Sequence, residues 1–141
     1  MSLDITSANS IAVLSCELFS EKLQQFSADT AYEGEDVQIA ETRIGVDGKM
    51  VAGYTPQIKT LTIHLEASSP SIERMVLLEQ SMQKNRKVYP CQLVITQPSI
   101  GKRITYSNGV LQSAKSLADG KTVLDPVQYT FHFEDRSVET M

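Results

Sequence analysis

The sequence contains few of the residues with which small proteins build covalent or metal-bound frameworks. Cysteine occurs only twice, as Cys16 and Cys91, histidine also occurs twice, and tryptophan is absent. Two isolated thiols lack the spacing of metal ligands and are too few for a disulfide scaffold. We therefore expect both cysteines to be reduced residues of the core, where a thiol behaves as a small apolar group.

Motifs of catalysis and of nucleotide binding are also missing. The 7 glycines are scattered singly, so the sequence has no glycine-rich phosphate loop and no Gly-x-Ser-x-Gly elbow. Neither cysteine lies in a recognisable nucleophile signature. The sequence therefore predicts that the protein is not an enzyme and that it needs no cofactor.

Positive charge and long apolar runs are scarce. Lys and Arg total 13 against 17 Asp and Glu, which gives a formal net charge of -4. Sequence-independent binding of nucleic acid depends on clustered cations that replace counterions, so we expect no wrapped nucleic acid. No stretch is apolar for long enough to span a bilayer, and the first residues lack a basic segment followed by an apolar run. These features predict a cytosolic protein without a membrane partner.

The length and the hydrophobic content fit one ordinary domain. The chain has 141 residues, of which 41% are hydrophobic, and a chain of this size buries enough surface to fold without staples. We predict a single β domain over residues 11–135, with flexible ends at 1–10 and 136–141. Residues 27–36 carry four acidic side chains without periodicity, which predicts a solvated loop.

Two stretches of the sequence resemble one another. Asp-Gly-Lys at 47–49 leads through a proline to an alternating stretch at 62–66, and Asp-Gly-Lys at 119–121 leads through a proline to another at 130–134. Each copy is typical of a tight turn, a short strand, a break and then a strand with one buried face. The doubled unit predicts an antiparallel sheet.

Turn residues and apolar spacing predict the remaining elements. Asn108-Gly109 is the strongest short-range hairpin signal, and we expect it to pair a strand around Ile104 with one around Leu111. Ser69 is expected to cap the only helix, with Pro70 in its first turn. Strands are predicted at 11–19, at 37–54 as a hairpin, and at 58–66, 88–96 and 127–134. The predicted fold class is mainly β (α+β), an antiparallel β-sandwich or barrel with one flanking helix at about 69–85.

The two histidines occupy equivalent places in the repeated stretches. If the two alternating strands were adjacent, His64, Glu66, His132 and Glu134 would be candidates for a mixed imidazole and carboxylate metal site. Ligands two residues apart on one strand face are about 7 Å apart, so such a site needs an in-register partner strand. Polar residues on a solvated sheet face are far commoner, and we predict no metal site.

The last third of the chain carries a family resemblance. With the order of strands, central helix and strands, the segments at 108–114, 118–121 and 127–133 make the sequence resemble the tail tube proteins of contractile-tailed bacteriophages. It resembles the type VI secretion tube protein more loosely. The resemblance implies a small β-sandwich or barrel flanked by a helix, which assembles into hexameric rings that stack as a hollow tube and has no catalytic role.

The same resemblance implies the partners and the location. Such a protein binds copies of itself and tail sheath, baseplate or tail-terminus proteins, and DNA is only a passing cargo. It is assembled in the bacterial host cytoplasm and resides in the virion tail. An acidic chain suits a conduit, because like-charged walls repel phosphate and reduce sticking.

The segment 37–54 is our candidate for reaching a neighbouring subunit. It has few bulky apolar residues for its length, so we expect little of it to belong to the core. The residues expected to take part in assembly are those of its tip: Val46, Asp47, Gly48, Lys49, Met50 and Val51.

Two alternatives to a main tube protein stay open from the sequence. A tube-like adaptor at the baseplate or tail terminus would share nearly all of these features. A monomeric ligand-binding β-barrel belongs to another class, and it would require an apolar cavity under the strands.

Overall fold

The computed structural model of the chain describes residues 10–27 and 30–141. The predicted flexible segment 1–10 therefore lies outside the described residues except for its last position. The strands are β1 (Ile11–Cys16), β2 (Ser20–Lys22), β3 (Tyr32–Gly34), β4 (Ala40–Ile44), β5 (Met50–Tyr54), β6 (Lys59–Leu65), β7 (Cys91–Gln97), β8 (Lys102–Lys115) and β9 (Val127–Thr140). The helix α1 spans Ile72–Asn85, and a single 3₁₀ turn spans Pro98–Ile100.

Seven strands form one antiparallel sheet in the order β2-β1-β7-β8-β9-β6-β3, and β4 pairs only with β5. In a flat sheet β7 and β3 would lie roughly 19 Å apart, at the usual spacing between neighbouring strands. Instead, Gln97 Nε2 at the end of β7 donates a hydrogen bond of 2.8 Å to the Tyr32 hydroxyl in β3. The sheet is therefore strongly curled, and the predicted sandwich or barrel class with one helix is confirmed.

The core lies on the concave face of this sheet. The predicted alternation is confirmed in β6, β7 and β9, where every second side chain is buried and the residues between them are more exposed. The largest side chains that are almost wholly buried belong to Tyr129, Phe131 and Phe133 of β9. Phe131 and Phe133 stack with ring centroids 5.9 Å apart, and Tyr106 of β8 packs on Phe133 at 5.1 Å.

The helix α1 begins at Ile72, somewhat later than the predicted start near Ser69. Ser71 is its N-cap residue without a capping side-chain bond, because its hydroxyl accepts the backbone N–H of Gln24 at 2.9 Å. Ser69 instead holds the approach to the helix, donating its hydroxyl to the carbonyl of Gln24 and accepting the N–H of Ser71. Ser69 thus accepts an early backbone N–H as predicted, ahead of the first helical residue, whereas a tertiary contact with Gln24 takes the Ser71 hydroxyl out of the capping role.

One face of α1 is apolar and packs on the sheet. Met75 and Leu78 are completely buried, and Ile72 and Met82 pack at the edge of the core. The helix has 14 residues, and it is too short and too polar to cross a bilayer.

Hydrogen bonds connect α1 to the residue that follows β8 and to the beginning of β9. The hydroxyl of Ser116 donates to Glu79 Oε1 at 3.0 Å, and it also contacts the Tyr129 hydroxyl at 3.1 Å. Burial is the main cause that raises the pKa of Tyr129 above its ordinary value. The phenol therefore stays protonated and can donate to Ser116, which gives a chain of two bonds from sheet to helix.

The predicted hairpin at Asn108-Gly109 is wrong. Both residues lie inside β8, which runs without reversal from Lys102 to Lys115 and shifts register against β7 at this point. A two-residue hairpin of the Asn-Gly type needs positive φ at both central residues, but only Asn108, at φ 54, has it. The pair instead forms a bulge, which bends a long strand rather than turning it back.

Three other predicted boundaries differ from the structure. The Asp-Gly-Lys segment at 119–121 lies in the long connection between β8 and β9, where the Lys121 N–H donates to the Asp119 carbonyl at 3.1 Å and closes a three-residue turn. The short strand expected after this turn does not form, and ion pairs Lys115–Asp119 and Lys121–Asp125 of 2.8 Å each lie beside it. Within the predicted solvated loop 27–36, residues 32–34 form β3 and pair with β6. Residues 136–140, predicted to be a flexible end, continue β9 along β8.

A single methyl group at Gly109 should destabilise the protein strongly. A Cβ there would lie 2.1 Å from Phe133 Cδ1 and 2.7 Å from the backbone oxygen of His132. We expect Gly109→Ala to lower the free energy of unfolding by about 1–3 kcal/mol or more, because β8 and β9 must separate. Urea denaturation measures the change.

Gly53→Ala is the matched control, since nothing lies within 4 Å of a Cβ at that position. It should change the free energy of unfolding by no more than about 0.5 kcal/mol. Equal losses for the two variants would contradict the close approach of β8 to Phe133.

Candidate assembly surface

The segment 37–54 forms the predicted hairpin, which we call the arm and define as β4, β5 and their connecting turn. The strands pair antiparallel from Ala40–Tyr54 to Ile44–Met50. In the turn, Gly48 has φ 81, and the Lys49 N–H donates to Asp47 Oδ1 at 3.1 Å. Asp-Gly therefore does here what it was predicted to do, because glycine adopts this backbone conformation without strain.

Every residue of the two arm strands is exposed. The expectation that little of the arm belongs to the core is therefore confirmed. The reason given for this expectation, a shortage of bulky apolar residues, is wrong. The arm carries large apolar side chains, but they are exposed and do not belong to the core. Ile44, Met50 and Tyr54 are 72%, 66% and 74% exposed.

The register sorts these side chains onto one face. Directly opposed residues of an antiparallel pair share a face, and every second residue along a strand returns to it. The face formed by the pairs Ala40–Tyr54, Thr42–Ala52 and Ile44–Met50, which we call the apolar face, has no charged residue. The opposite face carries Glu41–Gly53 and Arg43–Val51.

The residues predicted for assembly are therefore not equivalent. Val46, Asp47, Gly48 and Lys49 lie in the turn, Met50 belongs to the apolar face, and Val51 lies on the opposite face beside Arg43. Ile44 and Tyr54 are not among the predicted residues, although they lie on the same face as Met50. The sequence shows their period-two spacing within each strand. Which residues of the two strands share a face depends on the register, which the sequence does not specify.

The apolar face leads into a depression on the body of the protein. Tyr54 lines this depression together with Pro56, Ile58 and the β9 residues from His132 to Asp135. Ile58 is exposed, and Lys59 Nζ donates to the carbonyl of Glu134 at 3.0 Å across the boundary of β6 and β9. Exposed apolar residues therefore continue from the arm to Ile58, beside the charged side chains of Lys59, Glu134 and Asp135.

The second half of β9 provides an open sheet border. Residues 135–140 pair with β8 on one side, and β6 reaches only Phe133 on the other. Within the described residues, no strand covers this outer side. An unpaired border offers backbone N–H and C=O groups to another chain, although Arg136 and Glu139 add charge to it.

The two histidines do not come together. The strands that carry them, β6 and β9, are neighbours as the metal hypothesis required, but they are antiparallel, with His64 opposite Gln128 and His132 opposite Thr60. This register separates the histidines by roughly 13 Å along the strands. His64 Nε2 instead contacts Glu33 Oε1 of β3 at 3.0 Å. Among the residues that the structure describes, no group of three potential ligands could hold a metal ion.

Comparison with known proteins identifies one matching family and several similar folds. A family model described as "Tail fiber protein gp32" matches residues 3–137. No curated protein matches the chain.

Three solved structures illustrate the shared fold. A chain of the anti-feeding prophage cap, described as a tube terminating cap, has 15% sequence identity and a TM-score of 0.67, covering 100% of this chain and 94% of that one. A chain of the PVC sheath-tube complex, from an extracellular contractile injection system in the extended state, has 14% identity and a TM-score of 0.66, covering 99% and 93%. A chain of the anti-feeding prophage baseplate has 13% identity and a TM-score of 0.61, covering 99% and 98%. The resemblance predicted from the sequence is confirmed at the level of the fold.

The arm should be the least protected β structure of the isolated subunit. A two-stranded hairpin without a third strand or a packed face is marginally stable in water, whereas the β6 and β9 ladders enclose the core. We expect amide hydrogens of residues 40–54 to exchange much faster than those of residues 127–133 in dilute protein. Hydrogen exchange with mass spectrometry measures this, and equal protection of both segments would contradict an unsupported arm.

Proposed function

Since this chain belongs to the family described as Tail fiber protein gp32, we propose that it is a structural protein of a contractile tail that associates with copies of itself into rings. The proposed rings are hexameric and form a tube or close one of its ends. In this function the protein does not catalyse a reaction. The family description names a fibre, while the similar folds come from a cap, a sheath-tube complex and a baseplate, and a tail component agrees with both.

The apolar face of the arm is the observation that carries this proposal. A soluble monomer rarely leaves a continuous apolar surface uncovered, and such surfaces usually mark protein interfaces. Within residues 10–27 and 30–141 no third strand pairs with the arm and all its strand residues are exposed, so a neighbouring subunit is the natural support. Covering the face would both bury Ile44, Met50 and Tyr54 and hold the hairpin in one conformation.

A ring follows if the arm of one subunit binds a different surface of the next. Contacts between unlike surfaces join subunits head to tail, and they close into a ring when the rotation between neighbours allows it. The arm tip at 46–51 would touch the neighbour, and the border of β9 at 135–140 would be covered in the same assembly. The apolar face of the arm and the border of β9 would then both be covered without any change in the fold of the subunit.

Other components of the tail are the proposed further partners. Tail sheath, baseplate or tail-terminus proteins would contact the outer surface or the ends of the ring, in a virion tail assembled in the host cytoplasm. DNA would pass through as cargo. The net charge of -4 supports a conduit that repels phosphate over a surface that binds it.

Main tube and terminal adaptor remain two forms of the same proposal. The folds similar to this chain include a tube terminating cap and a baseplate chain as well as one from a sheath-tube complex. Negative-stain images at high concentration separate the two forms. Filaments that lengthen with concentration indicate a main tube, and closed rings that do not stack indicate an adaptor.

A monomeric ligand-binding barrel has less support. It requires an apolar cavity under the strands, but the aromatic side chains of β8 and β9 fill that interior and are almost wholly buried. A mass near 15.6 kDa at all concentrations in light scattering would favour this alternative and contradict ring formation.

Charge on the apolar face of the arm should abolish association without unfolding the subunit. We expect Ile44→Glu to change the free energy of unfolding by at most about 0.5 kcal/mol, because the side chain is exposed in the subunit. A buried unpaired carboxylate in the ring contact is strongly unfavourable. Sedimentation velocity should therefore show monomers under conditions where the parent protein forms rings.

Arg43→Glu is the matched control, because it introduces the same carboxylate on the opposite face of the hairpin, next to Ile44 in the sequence and outside the tip at 46–51. Rings should survive this substitution. If both variants stay associated, the arm is not part of the contact. If both dissociate, the contact does not distinguish the two faces.

Shortening the turn at Asp47-Gly48 tests the reach of the arm separately from its chemistry. The deletion removes exposed residues only, so we expect a folded monomer with an unchanged denaturation midpoint. Rings should be absent from electron micrographs of the variant, and rings that persist would contradict the assignment of the tip at 46–51.

A further inference from the structure

The two cysteines of the chain, separated widely in sequence, are direct neighbours in the sheet. Cys16 ends β1 and Cys91 begins β7, and the antiparallel register places them opposite one another. Both thiols are free in this structure. Because directly opposed residues share a face, both side chains point to the same side of the sheet.

The hydrogen bonds of β1 reveal which kind of cross-strand pair this is. The Leu23 N–H donates to the Ala12 carbonyl, and the Cys16 N–H donates to the Phe19 carbonyl, both at 2.8 Å. Even-numbered residues of β1 thus direct their backbone groups toward β2 and away from β7. Cys16 and Cys91 are consequently a non-hydrogen-bonded pair, in which the side chains approach most closely.

This position satisfies the spacing that a disulfide requires. Cα atoms of a non-hydrogen-bonded pair lie about 4.5 Å apart, inside the range of roughly 4.4–6.8 Å found across disulfides. No movement of one strand past the other is needed to bring the two sulfur atoms together.

The surroundings make one thiol accessible and the other protected. Cys16 is partly exposed and Cys91 is buried, and both line an open depression with Ser15, Pro90 and Gln92. The Cys91 thiol donates to the Tyr89 carbonyl at 3.3 Å. Burial and then the neighbouring Cys16 thiol raise the pKa of Cys91 to about 12, so Cys91 rests as a neutral thiol.

We propose that Cys16 and Cys91 form a reversible disulfide across β1 and β7 when the protein meets a small-molecule disulfide such as oxidised glutathione. The proposal does not depend on the function proposed above. A reducing cytosol keeps such a pair as dithiol, and an oxidising environment favours the bond.

The reaction proceeds through two exchanges. The Cys16 thiolate attacks one sulfur of oxidised glutathione, forming a mixed disulfide and expelling a glutathione thiolate. The Cys91 thiol then loses its proton and attacks the Cys16 sulfur, which expels the second glutathione. The two cysteines lose two electrons and two protons, and oxidised glutathione becomes two molecules of reduced glutathione. In the mixed disulfide Cys16 carries no charge that opposes ionisation of Cys91.

The bond would close a long loop that contains the arm, β6 and α1. A cross-link over such a loop restricts the unfolded chain more than the folded one. Oxidation should therefore raise the denaturation midpoint while leaving the sheet register unchanged.

Intact-mass measurement of the full chain in glutathione redox buffers tests the proposal. The protein is equilibrated without oxygen, quenched with acid, freed of glutathione and then unfolded in urea at neutral pH with excess N-ethylmaleimide, so that the buried Cys91 thiol is also labelled if it is free. We expect a species that has lost two hydrogen atoms and takes up no label, and dithiothreitol should restore the form with two labels. Peptide mapping should recover a fragment that joins Cys16 to Cys91, and the urea midpoint should rise on oxidation.

Two variants define the order of the exchanges. Cys91→Ser should stop at one glutathione on Cys16, and Cys16→Ser should leave Cys91 unmodified in the folded protein. A parent protein that keeps glutathione on Cys16, forms a covalent dimer or reacts only when urea unfolds it would overturn the proposal. If a variant fails to fold, the measurements on the parent protein alone still confirm or contradict the disulfide.

Discussion

The placement of β9 between β6 and β8 is the constraint on which the rest of the structure depends. Its buried side chains fill the interior, while its backbone holds both neighbouring strands in register. Phe133 leaves no room for a side chain at Gly109, so the position of β8 opposite Phe133 requires a glycine. The bulge at Asn108-Gly109 lets one long strand follow this curvature, and the curl of the sheet brings Tyr32 to Gln97.

The arm is the part of the protein that this core does not use. All of its strand residues are exposed and it forms its own sheet. In the proposed assembly, the stability of the subunit and the association between subunits would depend on separate sets of residues. The proposed assembly surface would then be ready before a partner arrives.

Strand parity governs both the arm and the cysteine pair. In the arm it collects Ile44, Met50 and Tyr54 on one face, and between β1 and β7 it directs Cys16 and Cys91 to the same side. Neither grouping follows from distance along the chain. A shift of one residue in either register would send the side chains that are now opposed to different faces and remove that grouping.

The sequence by itself determined the local structure: the period-two pattern specified the buried faces of β6, β7 and β9, apolar spacing specified the sheet-facing side of α1, and Asp47-Gly48 specified the turn of the arm. Only the tertiary structure decided whether a turn signal reverses the chain. Asn108-Gly109 bends β8 because β7 and β9 pair along both sides of it, and the Ser71 hydroxyl binds Gln24 instead of capping the helix. The tertiary structure also decided which strands pair and in which register. That register produces the apolar face of the arm and separates His64 from His132. The physical reason is that residue patterns fix which way a side chain points along its own strand, whereas register depends on contacts between residues far apart in the sequence.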